Sequence, residues 1–506
     1  NSINDYQVDF MSVHEHRRRV ALTGANDGLL HAFDAGFYGR DVAGRFDTGH
    51  GTELFAHMPQ AVMDKAYNMV FGDLHQYMVD GNTVVGDVYI TPPGGSADEW
   101  RTTALYGMRR GGRGIVALDV TQPDVIGAAA TTFPGCLDGT VSGCNGDYPT
   151  VLWEVMDQTD EDGNCPGTLS GAQCAPYWDL GYTWSAPALA RVMVDDSGGP
   201  DPLEMYVAFF GGGWDSTDRA DASFPLTGNF FYAVNVETGD IIYKTNMFTD
   251  IPGTPTVLDL DTDGYIDRVY FGDTTGGVWR LDVSNQATFS SGRVDNWTLT
   301  EIYQMPADQR FFTRPVTVPA FFDGTDYTWA LAMGSGDRAN VTEWDGITNR
   351  FYFVLDVGDT TTRGEGNLQR VAYDAPVSGG DYLDPANGLY GWYLELRQDE
   401  KVNADAIVAG EIVLFPTFEP DVPAGGGDGG DGGDGGDGGD GGDGGDGGDP
   451  DDPLCRAVGI GRLYQVYFNN ADPVDDSGVR GEDLGGGLIV GGTAYTIGDT
   501  TRALFT

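Results

Sequence analysis

The sequence predicts an all-β protein, and three observations support this class. Glycine is abundant, with 77 of 506 residues, and aromatic residues make up 12% of the chain. Long apolar segments with a 3.6-residue period are scarce, which argues against helices. A loosely repeated unit recurs, made of an apolar strand, a glycine-containing turn and a strand that leads into Asp or Asn. Hairpins this small must stack on one another, which favours a modified β-propeller with loop insertions.

The repeated units follow one another along most of the chain. Their spacing is uneven because insertions lengthen the loops between them. Six or seven blades fit the count, and seven are favoured. The clearest units lie at residues 20–34, 112–120, 230–236, 277–283, 350–357 and 461–466.

An insertion at about 130–178 interrupts this pattern and carries four of the five cysteines. Disulfides are favoured over a zinc site, because the spacings differ from the two-to-four-residue gap of zinc knuckles and no histidine lies nearby. Disulfides imply an oxidising, exported location. Three connectivities are open, and sequential pairing would staple the insertion. That pairing joins Cys136 to Cys144 and Cys165 to Cys174 and leaves Cys455 without an obvious partner.

The nine residues 259–267 carry the strongest functional signal. Three aspartates alternate, Gly264 follows, and a fourth aspartate closes the segment. Calcium takes six to eight oxygen ligands, and calcium loops supply them from alternate positions and a backbone carbonyl. Four carboxylates this close would repel one another without a cation. The predicted Ca²⁺ ligands are the carboxylates of Asp259, Asp261, Asp263 and Asp267 and the backbone carbonyl of Tyr265.

This segment does not follow the EF-hand pattern. Tyr270 stands at loop position twelve, where an EF-hand needs glutamate, and residues 268–271 are typical of a strand. The sequence therefore predicts a short calcium loop between two β-strands. The alternative is an acidic surface turn that binds no ion.

A Gly-Gly-Asp repeat of period three occupies residues 425–449, with eight carboxylates from Asp428 to Asp449. Without apolar residues it cannot offset its ordering entropy, so a self-repelling connector is favoured over a weak cation buffer. Strand-like segments flank it at 406–415 and 460–468. We therefore expect propeller blades over 1–423, a long blade loop over 424–453, and final strands over 454–506 that complete the propeller.

The formal charge of −49 argues against nucleic acid or an anionic membrane as a partner, because both would be repelled. The sequence has no run of about 20 apolar residues, so no membrane-spanning helix is expected. It also lacks a nucleophile elbow and a phosphate-binding loop. A non-enzymatic protein is therefore favoured. All six histidines fall in the first 75 residues, as His14, His16, His31, His50, His57 and His75.

Several short motifs occur in a fixed order between about residues 20 and 360. They lie at 24–33, 79–81, 86–89, 100–102, 111–121, 259–273, 276–282 and 334–338. Together they resemble the C-terminal β-propeller domain of the PilY/PilC family, the tip-associated adhesins and biogenesis factors of type IV pili. The two ends of the chain match less well.

The resemblance implies a propeller with Ca²⁺ on the acidic loop, and the family ligands fall on the five residues named above. It further implies control of pilus extension and retraction, surface adhesion and twitching motility. The implied partners are minor pilins of the tip complex and a host or abiotic surface receptor. The implied location is the pilus tip, reached through the periplasm and outer membrane.

Four features distinguish this sequence from the family. The sequence has no N-terminal von Willebrand-type domain and no Arg-Gly-Asp triplet, and it adds the Gly-Gly-Asp tract and the cysteine-bearing insertion. Two other functions stay open. A pyrroloquinoline quinone dehydrogenase is also built from such repeats but typically has vicinal cysteines, which this chain lacks. A secreted scaffold with a purely structural calcium site is the third hypothesis.

Overall fold

The all-β prediction is confirmed by the structure, a computed structural model, in which the described helical segments are only three to six residues long. The five cysteines, His75 and the Gly-Gly-Asp tract lie outside the residues that it describes, so the predicted disulfides and connector stay predictions. Within the part it describes, no helix is long and apolar enough to cross a membrane. The described residues are 6–39, 44–63, 65, 76–122, 148–156, 177–196, 202–215, 227–283, 287–322, 326–421, 459–474, 478–486, 492–497 and 500–505.

The chain divides into two compact units. The first comprises Asn1–Thr317 and Gly358–Gly364, and the second comprises Val318–Val357 and Glu365–Thr506. The strands of the first unit are β1 (Val20–Gly24), β2 (Leu30–Asp34), β3 (Glu53–His57), β4 (Thr83–Ile90), β5 (Glu99–Gly107), β6 (Gly114–Asp119), β7 (Thr150–Met156), β8 (Ala188–Asp196), β9 (Leu203–Gly211), β10 (Phe230–Asn235), β11 (Ile241–Asn246), β12 (Thr256–Leu258), β13 (Arg268–Gly272), β14 (Gly277–Asp282), β15 (Thr288–Ser290), β16 (Arg293–Val294) and β17 (Thr298–Gln304).

Short helical turns connect some of these strands. In the first unit they are a π-helical turn (Tyr6–Met11), an α-helical turn (Ser12–His14) and 3₁₀ turns (Gln60–Val62 and Arg109–Gly111). In the second unit they are 3₁₀ turns (Arg338–Asn340, Glu365–Asn367 and Pro385–Asn387).

The strands of the first unit form four sheets, each built mainly from strands that are consecutive in sequence. Their orders are β1-β2-β3, β4-β5-β6-β7, β11-β10-β9-β8 and β12-β13-β14-β17. The third sheet is extended by β15, which pairs with β8 in parallel, and by β16. Consecutive antiparallel strands are the expected product of the repeated hairpins in the sequence.

These sheets pack face to face in chain order, as shown by interior strands whose two faces are both buried. On β5, Ala104 and Tyr106 join the core shared with the first sheet, whereas Leu105 joins the core shared with the third. Between the third and fourth sheets, the rings of Phe231 and Phe271 stack with centroids 4.1 Å apart. Strands buried on both faces read as continuous apolar runs, which is why the alternation of apolar and polar residues is weak in this sequence.

The remaining strands lie in the second unit, apart from the first two residues of β18. They are β18 (Val316–Phe322), β19 (Asp326–Gly334), β20 (Arg350–Asp356), β21 (Gln369–Ala372), β22 (Leu383–Asp384), β23 (Leu389–Glu395), β24 (Lys401–Val402), β25 (Ile407–Ala409), β26 (Ile412–Pro420), β27 (Gly459–Tyr467), β28 (Gly481–Gly486), β29 (Gly492–Ile497) and β30 (Thr500–Phe505). One sheet has the order β18-β19-β20-β23-β21, a second has the order β24-β26-β27-β28, and β29 pairs with β30.

The strands that flank the Gly-Gly-Asp tract are direct neighbours, since β26 and β27 pair antiparallel from Ile412↔Tyr467 to Pro420↔Gly459. The prediction of one strand over 406–415 was wrong in detail. That segment is a hairpin of β25 and the start of β26, because Gly410 has a left-handed φ of 61° that turns the chain.

A buried ion network joins residues of the β24-β26-β27-β28 sheet and of the turn before β24. Glu400 is fully buried, and its carboxylate accepts hydrogen bonds from the Tyr464 hydroxyl at 3.1 Å and the Arg397 amide at 3.0 Å. The Arg462 guanidinium lies 3.7 Å away. The Tyr464 ring also stacks on the Phe415 ring, with centroids 4.9 Å apart. Buried charge of this kind is stable only while its partners remain in place.

Candidate metal centre

The acidic segment 259–267 connects two paired strands, as the sequence predicts. Strands β12 and β13 pair antiparallel, with Leu258 opposite Arg268. The amide of Asp267 donates to the carbonyl of Leu258 at 2.9 Å and closes the base of the loop. The loop is therefore a hairpin connection, which confirms the strand–loop–strand prediction over the EF-hand pattern.

The loop is folded by its own carboxylates. The two oxygens of Asp259 accept hydrogen bonds from the amides of Thr262 at 2.7 Å and Gly264 at 2.8 Å. Thr262 and Gly264 both have left-handed φ values, 62° and 93°. The Leu260 amide donates to Asp267 Oδ2 at 2.6 Å. These bonds curl the backbone so that alternate side chains converge.

Three of the four predicted carboxylates come together. Asp259, Asp261 and Asp267 each offer an oxygen, and these oxygens lie within 4.8 Å of one another. Asp263 is not in this group, and its Oδ1 accepts a hydrogen bond from the Tyr265 amide at 2.8 Å. The roles of Asp263 and of the Tyr265 carbonyl as ligands stay predictions.

The donor chemistry of this group fits a hard divalent cation. All three side chains are carboxylates, and oxygen ligands of this type favour Ca²⁺ or Mg²⁺ over softer metals. Burial raises the pKa of Asp267, and the neighbouring charges of Asp261, Asp259 and Asp263 raise it further, against the lowering effect of the Leu260 amide. The repulsion that a cation would relieve is therefore built into the loop.

A clamp from the neighbouring β8–β9 hairpin holds the loop in this shape. Arg191 forms a two-pronged ion pair with Glu204, at 2.8 and 2.6 Å. Its guanidinium also donates to the Tyr265 hydroxyl at 2.9 Å and lies 4.3 Å from the centre of that ring. The Tyr265 hydroxyl donates to Glu204 at 3.1 Å, and the Ile266 amide donates to the Arg191 carbonyl at 3.0 Å. Sequence reasoning missed Arg191 and Glu204, because no local pattern marks a contact across more than sixty residues.

We expect Tyr265→Phe to weaken calcium binding by about tenfold, because outer partners that orient ligands typically contribute that much. The substitution keeps the ring over Arg191 but removes the hydroxyl that joins the clamp to the loop. Calorimetric titration with Ca²⁺ would measure the change, and hydrogen exchange at the Ile266 amide would report loosening independently. Tyr327→Phe, on an exposed tyrosine of the second unit, is the control. An unchanged affinity for Tyr265→Phe would show that the clamp does not position the ligands.

The described histidines lie away from the acidic loop. His31, on β2, contacts Glu53 at 2.7 Å and Asp27 at 2.9 Å through its two ring nitrogens. His57 contacts the Tyr106 hydroxyl at 2.7 Å and Glu154 at 3.2 Å. Both rings are engaged by side chains of nearby turns and strands, which is a structural arrangement.

The hydrogen bond to Glu53, aided by Asp27, raises the pKa of His31 above its ordinary value of 6.5. The protonated ring therefore stabilises the fold fully below pH 6.5, and this contribution is lost as pH rises through the folded-state pKa. An NMR titration of the ring should give a midpoint above 6.5 that Glu53→Gln moves down. A midpoint at or below 6.5 in the parent chain would contradict the pairing.

Comparison with solved structures identifies the fold. The crystal structure of the Pseudomonas aeruginosa PilY1 C-terminal domain aligns over 97% of this chain and 91% of that chain, with a TM-score of 0.59 and 20% sequence identity. The predicted all-β propeller class is thus confirmed, while the number of blades stays a prediction.

Comparison of sequences leads to the same family. A type IV pilus biogenesis factor PilY1 homolog of Xylella fastidiosa strain Temecula1 is 26% identical over 440 residues, covering 79% of this chain and 24% of that protein. PilY1 of Pseudomonas aeruginosa strain PAO1 is 25% identical over 475 residues, covering 81% of this chain and 34% of that protein. The chain therefore spans about a quarter to a third of these curated relatives. The family model for the PilY1 beta-propeller domain matches residues 3–305. With most of the sequence so matched, this chain belongs to the PilY1 β-propeller domain family.

Proposed function

We propose that this chain is a calcium-binding propeller of a type IV pilus protein, acting in pilus biogenesis, extension and retraction, surface adhesion and twitching motility. Its partners would be minor pilins of the tip complex and a surface receptor, at an extracellular location on the pilus tip. The observation that carries the proposal is the convergence of Asp259, Asp261 and Asp267 within 4.8 Å in a clamped loop. Membership of the PilY1 family supplies the biological setting.

Residues of the acidic loop would supply the oxygen ligands for calcium. Asp259 orders the loop through the Thr262 and Gly264 amides and still presents its oxygens to the ion. Asp261 and Asp267 would contribute the other converging carboxylates, with Asp263 and the Tyr265 carbonyl completing the set. Bound Ca²⁺ would supply the positive charge that neutralises these groups. Calcium loops bind with dissociation constants from about 10⁻⁷ to 10⁻³ M, and an extracellular site tolerates the weak end.

Contacts at two places connect the acidic loop to the surrounding sheets, so calcium binding in the loop could affect those sheets. Its base continues into β13, where the Asp267 carbonyl accepts from the Val283 amide at 2.7 Å. At Tyr265 it is joined to β8 and β9 through the Arg191–Glu204 clamp. Neutralising the carboxylates would therefore stiffen contacts between two adjacent sheets, which is a physical basis for calcium-dependent behaviour of the pilus.

The deciding experiment is Asp261→Ala in the native host. Asp261 belongs to the converging carboxylate group, so its loss should remove calcium binding. Because the side chain is exposed, the substitution should have little effect on folding. We expect altered surface piliation and reduced twitching at a calcium concentration that saturates the parent chain. Asp295→Ala, on another exposed loop of the same unit, is the control. Lost calcium binding with unchanged piliation and motility would contradict the proposal and favour a scaffold with a structural ion.

A further inference from the structure

A pocket of about 380 Å³ lies beside the start of β5 in the first unit. None of its lining residues belongs to the acidic loop or to its clamp. Its lining combines aromatic rings with exposed carboxylates, and we call it the aromatic–acidic pocket. The rings are those of Phe10, Tyr89 and Trp100, and the carboxylates are those of Asp9, Asp98 and Glu99. Concave sites of this size, with aromatic walls and a few polar groups, are typical of binding sites.

The aromatic wall is fixed by strand pairing. Tyr89 on β4 lies directly opposite Trp100 on β5, and their rings pack edge to face with centroids 5.4 Å apart. Phe10 packs 6.4 Å from Trp100, and the Arg17 guanidinium already covers it at 5.6 Å. Tyr89 and Trp100 both stay partly exposed. These two rings are therefore available to a ligand, and tyrosine and tryptophan rings attract cations.

Two of the three carboxylates have no cationic partner among the described residues. Asp98 directly precedes β5 and accepts a hydrogen bond from the Thr91 hydroxyl, which is a neutral donor. Asp9 belongs to the N-terminal π-helical turn and is exposed. Glu99 is also exposed but pairs with Arg101. The negative charges of Asp9 and Asp98 are therefore open to a ligand.

The charge around the pocket is negative. Arg101, which lines it, pairs with Glu99 and lies 3.4 Å from the buried Asp119. Arg17 donates to a backbone carbonyl of the pocket wall at 3.0 Å. Burial and the nearby Arg17 lower the pKa of His14, so this ring adds no charge at neutral pH. Among the described residues, the carboxylates here outnumber the cations, and they are Asp9, Asp87, Asp98, Glu99, Asp119 and Glu237.

These carboxylates repel one another but are spread out. Burial raises the pKa of Glu237, and the charge of Asp98 raises it further, against a backbone hydrogen bond with Thr91. Within the part of the chain that the structure describes, only the acidic loop brings three carboxylates within 4.8 Å of one another. The pocket is therefore a poor cage for a single metal ion. A longer organic cation could contact the separated carboxylates and the rings together.

We propose that the aromatic–acidic pocket takes a lysine or arginine side chain from a basic segment of a partner protein. The hydrocarbon stem of such a side chain would pack on Tyr89 and Trp100, and its charge would lie near Asp98 and Asp9. The net charge of −49 would also attract a basic partner and speed its association. This inference does not depend on calcium binding.

The test is fluorescence anisotropy with a labelled Lys-Gly repeat peptide and the full chain, at low salt and with calcium chelated. We expect saturable binding that weakens as salt rises, because salt screens exposed charges. Asp98→Asn should lower the affinity about threefold. Asparagine can still accept the Thr91 hydroxyl, so the turn before β5 should persist. Glu411→Gln, on an exposed carboxylate of the second unit, should leave the affinity unchanged.

The aromatic wall allows a second test, which separates the pocket from attraction to the acidic surface as a whole. Tyr89→Leu removes the ring and should lower the affinity about threefold, whereas Tyr89→Phe keeps the ring and the affinity. Attraction to surface charge alone would not distinguish these two variants. If Tyr89→Leu melts below the parent chain, Asp9→Asn, on an exposed side chain, takes its place with the same expected loss.

Three outcomes would overturn the proposal. The first is absence of saturable binding, or equal affinity for a Gln-Gly peptide. The second is an equal loss of affinity in Asp98→Asn and Glu411→Gln, because the peptide would then bind diffusely to the acidic surface. The third is displacement of the peptide by phosphatidylcholine vesicles that Tyr89→Leu prevents, which would assign the pocket to the ammonium group of a lipid.

Discussion

Replacing Asp259 with asparagine is expected to reduce calcium affinity by at least about 100-fold, the largest effect of any single change in the loop. Asp259 has two tasks, since its oxygens accept the Thr262 and Gly264 amides and also belong to the converging carboxylate group. Asparagine removes the charge and turns one acceptor into a donor, which would face the Gly264 or Thr262 amide. Calorimetric titration of the purified chain measures the loss directly.

Asp263→Asn is the matched control in the same loop. Because Asp263 lies outside the converging group, we expect a smaller loss of affinity than for Asp259→Asn. An equal loss for both would show that Asp263 is a full ligand, as the sequence pattern suggests. Undiminished binding by Asp259→Asn would remove the basis of the proposed calcium site.

Replacing Glu400 with leucine is expected to destabilise the second unit by about 3–5 kcal/mol. The fully buried carboxylate accepts hydrogen bonds from the Tyr464 hydroxyl and the Arg397 amide and lies 3.7 Å from the Arg462 guanidinium. Leucine would leave these donors without that acceptor and part of the arginine charge uncompensated in the core. Chemical denaturation, followed by aromatic fluorescence, measures the change in the free energy of unfolding.

Glu419→Leu provides the comparison, because Glu419 pairs with the same Arg462 but keeps 26% of its side chain exposed. A partly exposed pair contributes about 1 kcal/mol or less. If the two variants lost equal stability, burial of Glu400 would not be the source of its effect.

The acidic loop and its flanking strands could be predicted because the residues that specify them are close together in sequence. Alternating aspartates, Gly264 and the strand that begins at Arg268 lie within a few residues of one another, and all occupy the predicted hairpin connection. The motif residue Asp273 also has a local role, since its carboxylate caps the turn before β14. Patterns of this kind are set by backbone geometry and need no information on tertiary contacts.

Contacts between distant segments could not be predicted. The contacts of Tyr265 with Arg191 and Glu204, and of Arg109 with the Trp184 ring, join residues more than sixty positions apart, and no spacing rule marks them. The exclusion of Asp263 from the carboxylate group depends on which backbone amide each aspartate accepts, which the alternation of residues does not encode. The sequence also could not show whether 406–415 is one strand or a hairpin, because the turn depends on the left-handed conformation of a single residue, Gly410.

The direct pairing of β26 with β27 has a practical consequence. Nine consecutive backbone pairs fix the two ends of the intervening connection side by side, so its length enters the stability only through loop-closure entropy. Each doubling of a loop's length costs only about 0.6 kcal/mol. An epitope or reporter domain grafted at this point should therefore leave the sheet intact, which makes the connection a place to attach a label to the protein.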